Sequence, residues 1–296
     1  MGNTAEVSIH GGSDYAHQFA ERRLHALEQL WSRFIPSSDI SRLNLSGGKP
    51  TKVHPETITL VQYLVTAHEL THGAFNPTLL PALVSLGYAS SMRDSSMTTL
   101  LPRLLQMSEP LSNTMVDEEA CVVQLPVGIT LDPGGLGKGL AADIVATELI
   151  AKGASGACVN VGGDLRCAES EVAQHTWNID IESPFDPTRI IAELAIANGG
   201  VATSSTRAKR WHSQRREFHH LLSPTTHLPL SEANDSPVQA TVIGAEAVWA
   251  EVFATTVLVD GAVEGLALAQ ELRLGALVML HNGEVIFNEQ LKEFMR

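Results

Sequence analysis

Asp132 and Lys138 lie six positions apart in a glycine-rich stretch, TLDPGGLGKGLAADIVATELIAKG, with Gly134, Gly135, Gly137 and Gly139 around the lysine. A carboxylate and an ammonium on such a turn can meet an anionic ligand, a cation or both. The apolar run at residues 129–131 before it reads as a strand. Immediately after it, Leu140, Ile144, Val145, Leu149 and Ile150 recur at helical spacing, and Gly153 marks the stop. Strand, tight turn and helix together bring backbone close to a phosphorylated ligand. A second polar turn, VNVGGDL at residues 159–165, closes the unit.

Lys138 reads either as a surface lysine or as a ligand contact. The dipole of the helix it opens disfavours a cation there, and a bound anion would remove the conflict. One charge pair at about 4 Å and an effective dielectric of roughly 20 is worth about 4 kcal/mol before desolvation. Glu251 and Thr255 share a helix face at i, i+4. A solvated face, with the threonine bonded to its own backbone, is the structural alternative. Ala250, Val252, Phe253, Ala254, Val257 and Leu258 surround the pair, and a carboxylate in such a setting wants a cation. His219 and His220 read as one core and one surface histidine, or as a proton carrier or a ligand for phosphate or a ring. Further polar clusters fall at residues 37–44, 71–78, 162–164 and 219–224. The simple motifs fail. A P-loop needs Ser or Thr after its lysine, where Gly139 stands. The glycine spacing is not that of a dinucleotide fingerprint, and no nucleophile-elbow triad is present.

The elements that must position these groups follow from 296 residues of ordinary globular composition, 44% apolar and 18% charged. The net charge of −13 argues against nucleic acid and anionic membranes as main partners. It also requires any anionic substrate to be met by a local positive patch or a bound cation. Cys121, Cys158 and Cys167 have neither metal-finger nor redox-pair spacing and read as buried small side chains. The N-terminal residues lack a signal-peptide pattern or lipidation cysteine, and no apolar run is long enough to span a membrane, so the chain as written reads as cytoplasmic.

Periodicity predicts a strand around Val7 and Ile9 and a helix over 14–34 with Leu24, Leu27, Trp31 and Phe34 on one face. Residues 35–44 read as a polar turn in which Asp39 and Ser41 cap local backbone. A helix is expected over 55–71, a loop over 74–81, a helix over 96–107 broken near Pro102, and a hairpin over 116–125. Strands are expected around 177–181, 190–196, 200–203 and 238–243, with a basic polar connection over 207–217. Helices over 245–259 and 263–272 precede a hairpin about Asn282-Gly283. Strand, helix, strand occurs at about 129–165 and again at about 238–281. This suggests an α/β body of two related halves, and no linker separates them, so 1–296 is expected to be one compact domain.

Read in order, the polar blocks resemble the ApbE-type FAD:protein FMN transferases nearly end to end. MGNT is similar to the family's opening Met-Gly-Thr, and SSDISRLN to its Ser-acidic-aliphatic-Ser-Arg-Leu-Asn segment. THGAFNPTLLPAL is similar to its Gly-Ala-Phe-Asp-Pro-Thr segment, and LDPGGLGKGLAAD to its Asp-Leu-Gly-Gly-x-x-Lys-Gly segment. VNVGGDL, VATSS, FHHLLSPTTHLP and AEVFATTVLVDG match later blocks in order. The resemblance implies an ApbE-like, T-fold-like α+β or α/β body. It implies cleavage of FAD at its pyrophosphate, a phosphoester from FMN to a serine or threonine hydroxyl of a target flavoprotein, release of AMP, and a requirement for magnesium. Some relatives mainly hydrolyse FAD to FMN and AMP, and a homologue that only binds FAD is a further alternative.

Carried over by resemblance, Met1, Phe34, Ala74, Phe75 and Asn76 would line the FAD site. Asp132 and Lys138 would contact FAD, and Leu222 would pack on it. Gly135 would offer its carbonyl to Mg2+, Glu251 and Thr255 would supply side-chain ligands, and Ala254 lies beside them. His220 would stand close to the transferred group. Some positions depart from the family pattern. Phe34 replaces a common tyrosine, Asn76 and Ser223 replace aspartates, His227 replaces a glycine, and Glu251 replaces the usual magnesium aspartate.

Overall fold

The computed structural model describes residues 4–102, 110–171, 175–213 and 215–296. In chain order the elements are β1 (Ala5–Gly11), α1 (Ala16–Trp31), α2 (Asp39–Asn44), β2 (Thr51–Lys52), α3 (Pro55–Leu70), α4 (Leu80–Ser85), β3 (Met115–Asp117) and β4 (Val122–Gln124). They continue with α5 (Gly137–Ala151), β5 (Ala154–Val161), β6 (Asp164–Glu169), β7 (Trp177–Glu182), β8 (Ile190–Ile196), β9 (Gly199–Ser205), β10 (Arg210–Ser213) and β11 (Arg216–His219). The last are β12 (Pro237–Gly244), α6 (Ala247–Asp260), α7 (Ala262–Glu271), β13 (Gly275–Leu280) and β14 (Val285–Phe287). The fold is mixed α and β, as expected. The chain divides into two compact units. One takes His25–Gly137 and Trp211–Pro229; the other takes the segment up to Leu24, Lys138–Arg210 and Leu230–Arg296.

In the first unit, Pro55 opens α3 and the His54 ring accepts from Glu56 N–H, so the predicted helix start is found in place. Thr71 closes it: its hydroxyl donates to Ala67 C=O at 2.7 Å and accepts from Phe75 N–H at 3.0 Å, turning the chain back. Residues 35–44 are more than a turn. Ser38, not Asp39 or Ser41, caps the short helix α2, accepting from Ser41 N–H at 3.1 Å. Asp39 reaches across to α3 instead, accepting from His54 N–H at 2.7 Å and from Thr57 Oγ1 at 2.9 Å.

The strand expected at 129–131 does not form. Asn44 supplies what a neighbouring strand would: its amide donates to Leu131 C=O at 2.9 Å and accepts from Leu131 N–H at 2.7 Å. Pro81 sits in the first turn of α4, so the expected loop is cut short by a helix. Residues 96–102 are not helical, and the rest of the helix expected over 96–107 lies outside the described residues. β2, β4 and β3 pair antiparallel, as the hairpin signal at 116–125 predicts.

The second unit is built on a seven-stranded sheet in the order β1-β5-β6-β9-β12-β13-β14, antiparallel throughout. β13 and the middle of β12 are buried at every residue, the pattern of strands covered on both faces. α6 packs across β9 and β12, with α7 beside it against β13. On the other face the β7–β8 hairpin brings Ile181, Ala192, Leu194 and Ile196 onto Leu165, Val201, Ile243 and Leu277. Asn282-Gly283 turns β13 into β14, with Gly283 at φ 90°. The connection at 207–217 is not all loop, since β10 and the start of β11 fall within it and pair as a two-stranded hairpin.

Candidate functional site

Lys138 is the second residue of α5, placed by the Pro133–Gly135 turn that Asp132 caps through Gly134 N–H at 3.0 Å. In the second unit its ammonium lies between two buried carboxylates. It pairs with Glu251 Oε1 at 2.6 Å and closely with Asp164 Oδ2. Lys138 also hydrogen-bonds to Glu251, so charge and hydrogen bonding together hold the cluster. Burial pushes the Lys138 pKa below its ordinary value; the Glu251 carboxylate works against that shift and Lys209 adds to it. Two carboxylates thus share one ammonium that burial drives toward neutrality.

The helices explain why the sequence tolerates this. Glu251 on α6 accepts from Gly139 N–H at 2.8 Å, satisfying an orphan donor in the first turn of α5. Asp143 on α5 returns the arrangement, accepting from Ala247 N–H at 2.9 Å and Val248 N–H at 2.8 Å at the start of α6. Each helix therefore caps the other with a carboxylate at its positive end. The approach is close. A Cβ on Gly139 would collide with the Ala247 carbonyl, and one on Gly200 with the Ala247 nitrogen. Asp143 is pushed up to about 6 by burial, against the two backbone N–H groups and Arg166. Thr255, one turn after Glu251, shares a hydrogen bond with Ser204 at 3.1 Å, and Ala254 between them is fully buried. The residue that bonds back to its own helix is Thr256, to Val252 C=O.

In the first unit, Asp132 faces Arg33, whose Nε lies 3.3 Å from its Oδ2. The buried Arg33 guanidinium stacks over Phe34 at 4.2 Å and over Tyr88 at 4.6 Å. Tyr88 stacks in turn on Trp211, at 5.0 Å between centroids. Burial raises the Tyr88 phenol pKa, with Arg33 working against it. Phe75 is buried, and a Cβ on Gly135 would come within 2.8 Å of its ring. Asn76 Oδ1 accepts from Thr78 N–H and Oγ1, so it shapes the 74–79 turn, with Ala74 half-buried. Leu222 is buried and bridges to Pro229, while His219 is buried and His220 half-buried. His227 adopts φ 58°, the left-handed backbone that explains a glycine as the usual residue there. Met1 lies outside the described residues.

Within the second unit, then, Lys138 and Glu251 are brought into contact, with Thr255 a turn away. Within the first, Asp132 and Phe34 are linked through Arg33. Sequence reasoning gave no role to Arg33, Asp143 or Asp164. Arg33 stood in plain view as a charge inside the apolar WSRF face, and Asp164 as the acidic end of the VNVGGDL turn. Asp143 carried no signal, because its partners are backbone groups more than a hundred residues away.

A family model described as the ApbE family matches residues 1–279. An FAD:protein FMN transferase of Klebsiella pneumoniae is 27% identical over 258 residues, covering 85% of this chain and 78% of the relative. One of Vibrio cholerae is 24% identical over 265 residues, covering 88% and 78%. Among solved structures, an ApbE protein of Thermotoga maritima superposes with a TM-score of 0.83 at 22% identity, over 99% of this chain and 96% of that one. The flavin transferase ApbE of Vibrio cholerae gives a TM-score of 0.78 at 21% identity, with the same two coverages.

Proposed function

The chain belongs to the ApbE family, and we propose that it transfers FMN from FAD to a serine or threonine hydroxyl of a target flavoprotein, with AMP as the leaving group and magnesium required. The observation that carries the reading is the buried Lys138–Asp164–Glu251 cluster, in which negative charge exceeds positive. Relatives over most of the chain's length bear the name FAD:protein FMN transferase, which supports the same reading.

Oxygen donors suit a hard divalent cation, and the candidates here are two carboxylates and a hydroxyl, with no group of three His, Cys, Asp or Glu among the described residues. Glu251 and Asp164 offer carboxylate oxygens that face the Lys138 ammonium, and Thr255 offers a hydroxyl. By the family resemblance Glu251 and Thr255 would hold the ion with their side chains, next to Ala254 on the same helix, and Gly135 would offer its carbonyl. When bound, magnesium supplies neutralisation of the pyrophosphate charge. Lys138 would contact the phosphates, its charge matched by Glu251 and Asp164 until a cation takes up those carboxylates. Asp132 fixes the glycine turn through Gly134 N–H, so the turn's backbone stays set while the dinucleotide binds. Arg33 holds Phe34 by stacking, which keeps that ring placed for flavin contact. In the transfer itself the acceptor hydroxyl oxygen bonds to the FMN-side phosphorus, and the bond to the bridging oxygen breaks as AMP departs. His220 takes the hydroxyl proton.

The test uses the whole protein with FAD, magnesium and a target domain that a reference transferase labels. The expected result is a flavin-fluorescent target on a denaturing gel and AMP released in proportion to it. Free FMN and AMP without any target would replace this reading with an FAD pyrophosphatase. Bound FAD with no AMP would replace it with a flavin-binding protein.

A further inference from the structure

Cys158 and Cys167 are nine positions apart and show no redox-pair spacing, yet the fold places them directly opposite each other. They are register partners on β5 and β6, with their sulfurs 3.7 Å apart. The hairpin that joins these strands turns on two residues, Gly162 and Gly163, both at positive φ. Such a turn makes Val161 and Asp164 a hydrogen-bonded pair. Counting outward, Cys158 and Cys167 fall at a non-hydrogen-bonded position, where opposed Cα atoms approach to about 4.5 Å. That separation lies inside the range a disulfide spans, about 4.4–6.8 Å. The bond can therefore form with no change of register.

We propose that Cys158 and Cys167 are a reversible dithiol site whose oxidant is a small-molecule disulfide of the glutathione class. The two thiols are not equivalent. Cys158 is half-buried and accessible at the edge of the core cluster, whereas Cys167 is fully buried. Cys167 donates its S–H to the Cys158 sulfur, which lowers the Cys158 pKa and raises its own. Glu6 opposes the Cys158 thiolate, and Arg166 favours that of Cys167. Cys158 is thus the attacking thiolate. It bonds to one sulfur of the oxidant, whose S–S bond breaks and releases one thiol. The Cys167 sulfur then attacks Cys158 Sγ and releases the second thiol. Two protein thiols lose two electrons and two protons, and the oxidant leaves as two thiols carrying them. The site lies beside Arg166 and three residues from Asp164, so the bond would fasten the hairpin that presents the Lys138 partner.

The experiment equilibrates the folded protein in glutathione buffers of graded reduced-to-oxidised ratio, quenches with acid, alkylates free thiols and measures intact and peptide masses. The expected product has lost two hydrogens, retains one alkylated thiol at Cys121, and yields a linked Cys158–Cys167 peptide that reductant separates. Cys167→Ser traps one glutathione on Cys158, and Cys121→Ser behaves as the parent. Three free thiols across the whole range would overturn the proposal. So would a link to Cys121, or a Cys158–Cys167 link that appears only once urea has unfolded the chain. The parent measurement stands alone if a variant fails to fold.

Discussion

Lys138 occupies the first turn of α5, where the helix dipole disfavours a cation, and it stays because Glu251 and Asp164 flank it. The three charges are interdependent, so removing the middle one has a definite consequence. In Lys138→Met two buried carboxylates face each other without a counter-charge. Breaking a buried pair in this way costs about 3–5 kcal/mol. Near neutral pH, urea denaturation of this variant should show a loss of that size. Added magnesium should recover part of it at neutral pH, and should shift the parent protein less. A variant as stable as the parent at neutral pH would mean that the carboxylates are solvated and that the cluster is no cation site.

α5 and α6 cap each other, and this exchange is what makes their N-termini meet. It also carries a pH dependence. The Asp143 carboxyl is raised from its ordinary 3.8 to about 6 in the folded chain. The folded state therefore holds a proton that the unfolded state releases between these values. The Asp143 contribution to stability is fully present below about 4 and is lost as pH rises through about 6, by up to ~3 kcal/mol. Asp143→Asn keeps an oxygen for the backbone N–H groups and cannot titrate. Denaturation curves at intervals across that window should slope for the parent relative to the variant. Parallel curves would mean that Asp143 ionises in the fold as easily as outside it. The same two helices show what sequence could and could not disclose. Glycines and 3.6-residue periodicity located the Asp132–Lys138 turn and α5, and the apolar neighbours of Glu251 foretold its burial. The run at 129–131 misled, because its partner is one asparagine amide 87 residues away instead of a strand. β10 escaped notice because basic residues interrupt its alternation, and the short helices α2 and α4 offer too few turns for a period. Cys158 and Cys167 were unreadable as a pair, since only the two-residue turn between their strands sets the register.

At the scale of the molecule the question is whether local cations outweigh a net charge of −13 for an anionic dinucleotide. Lys138 is matched by two carboxylates, and Arg33 is paired with Asp132, so neither leaves a surplus of positive charge. The whole-molecule field should therefore repel FAD until a divalent cation is bound. Screening then helps association instead of hindering it. The Debye length falls from about 30 Å at 0.01 M salt to about 8 Å at 0.15 M. Without magnesium, the association rate read from flavin fluorescence in a stopped-flow mixer should rise with salt over this range, by about 3- to 10-fold. Saturating magnesium should flatten the slope, because the ion's charge then offsets the field at the phosphates. A magnesium-free rate that falls with salt would show that an attractive patch governs the approach. The net charge would then no longer require a bound cation at Glu251.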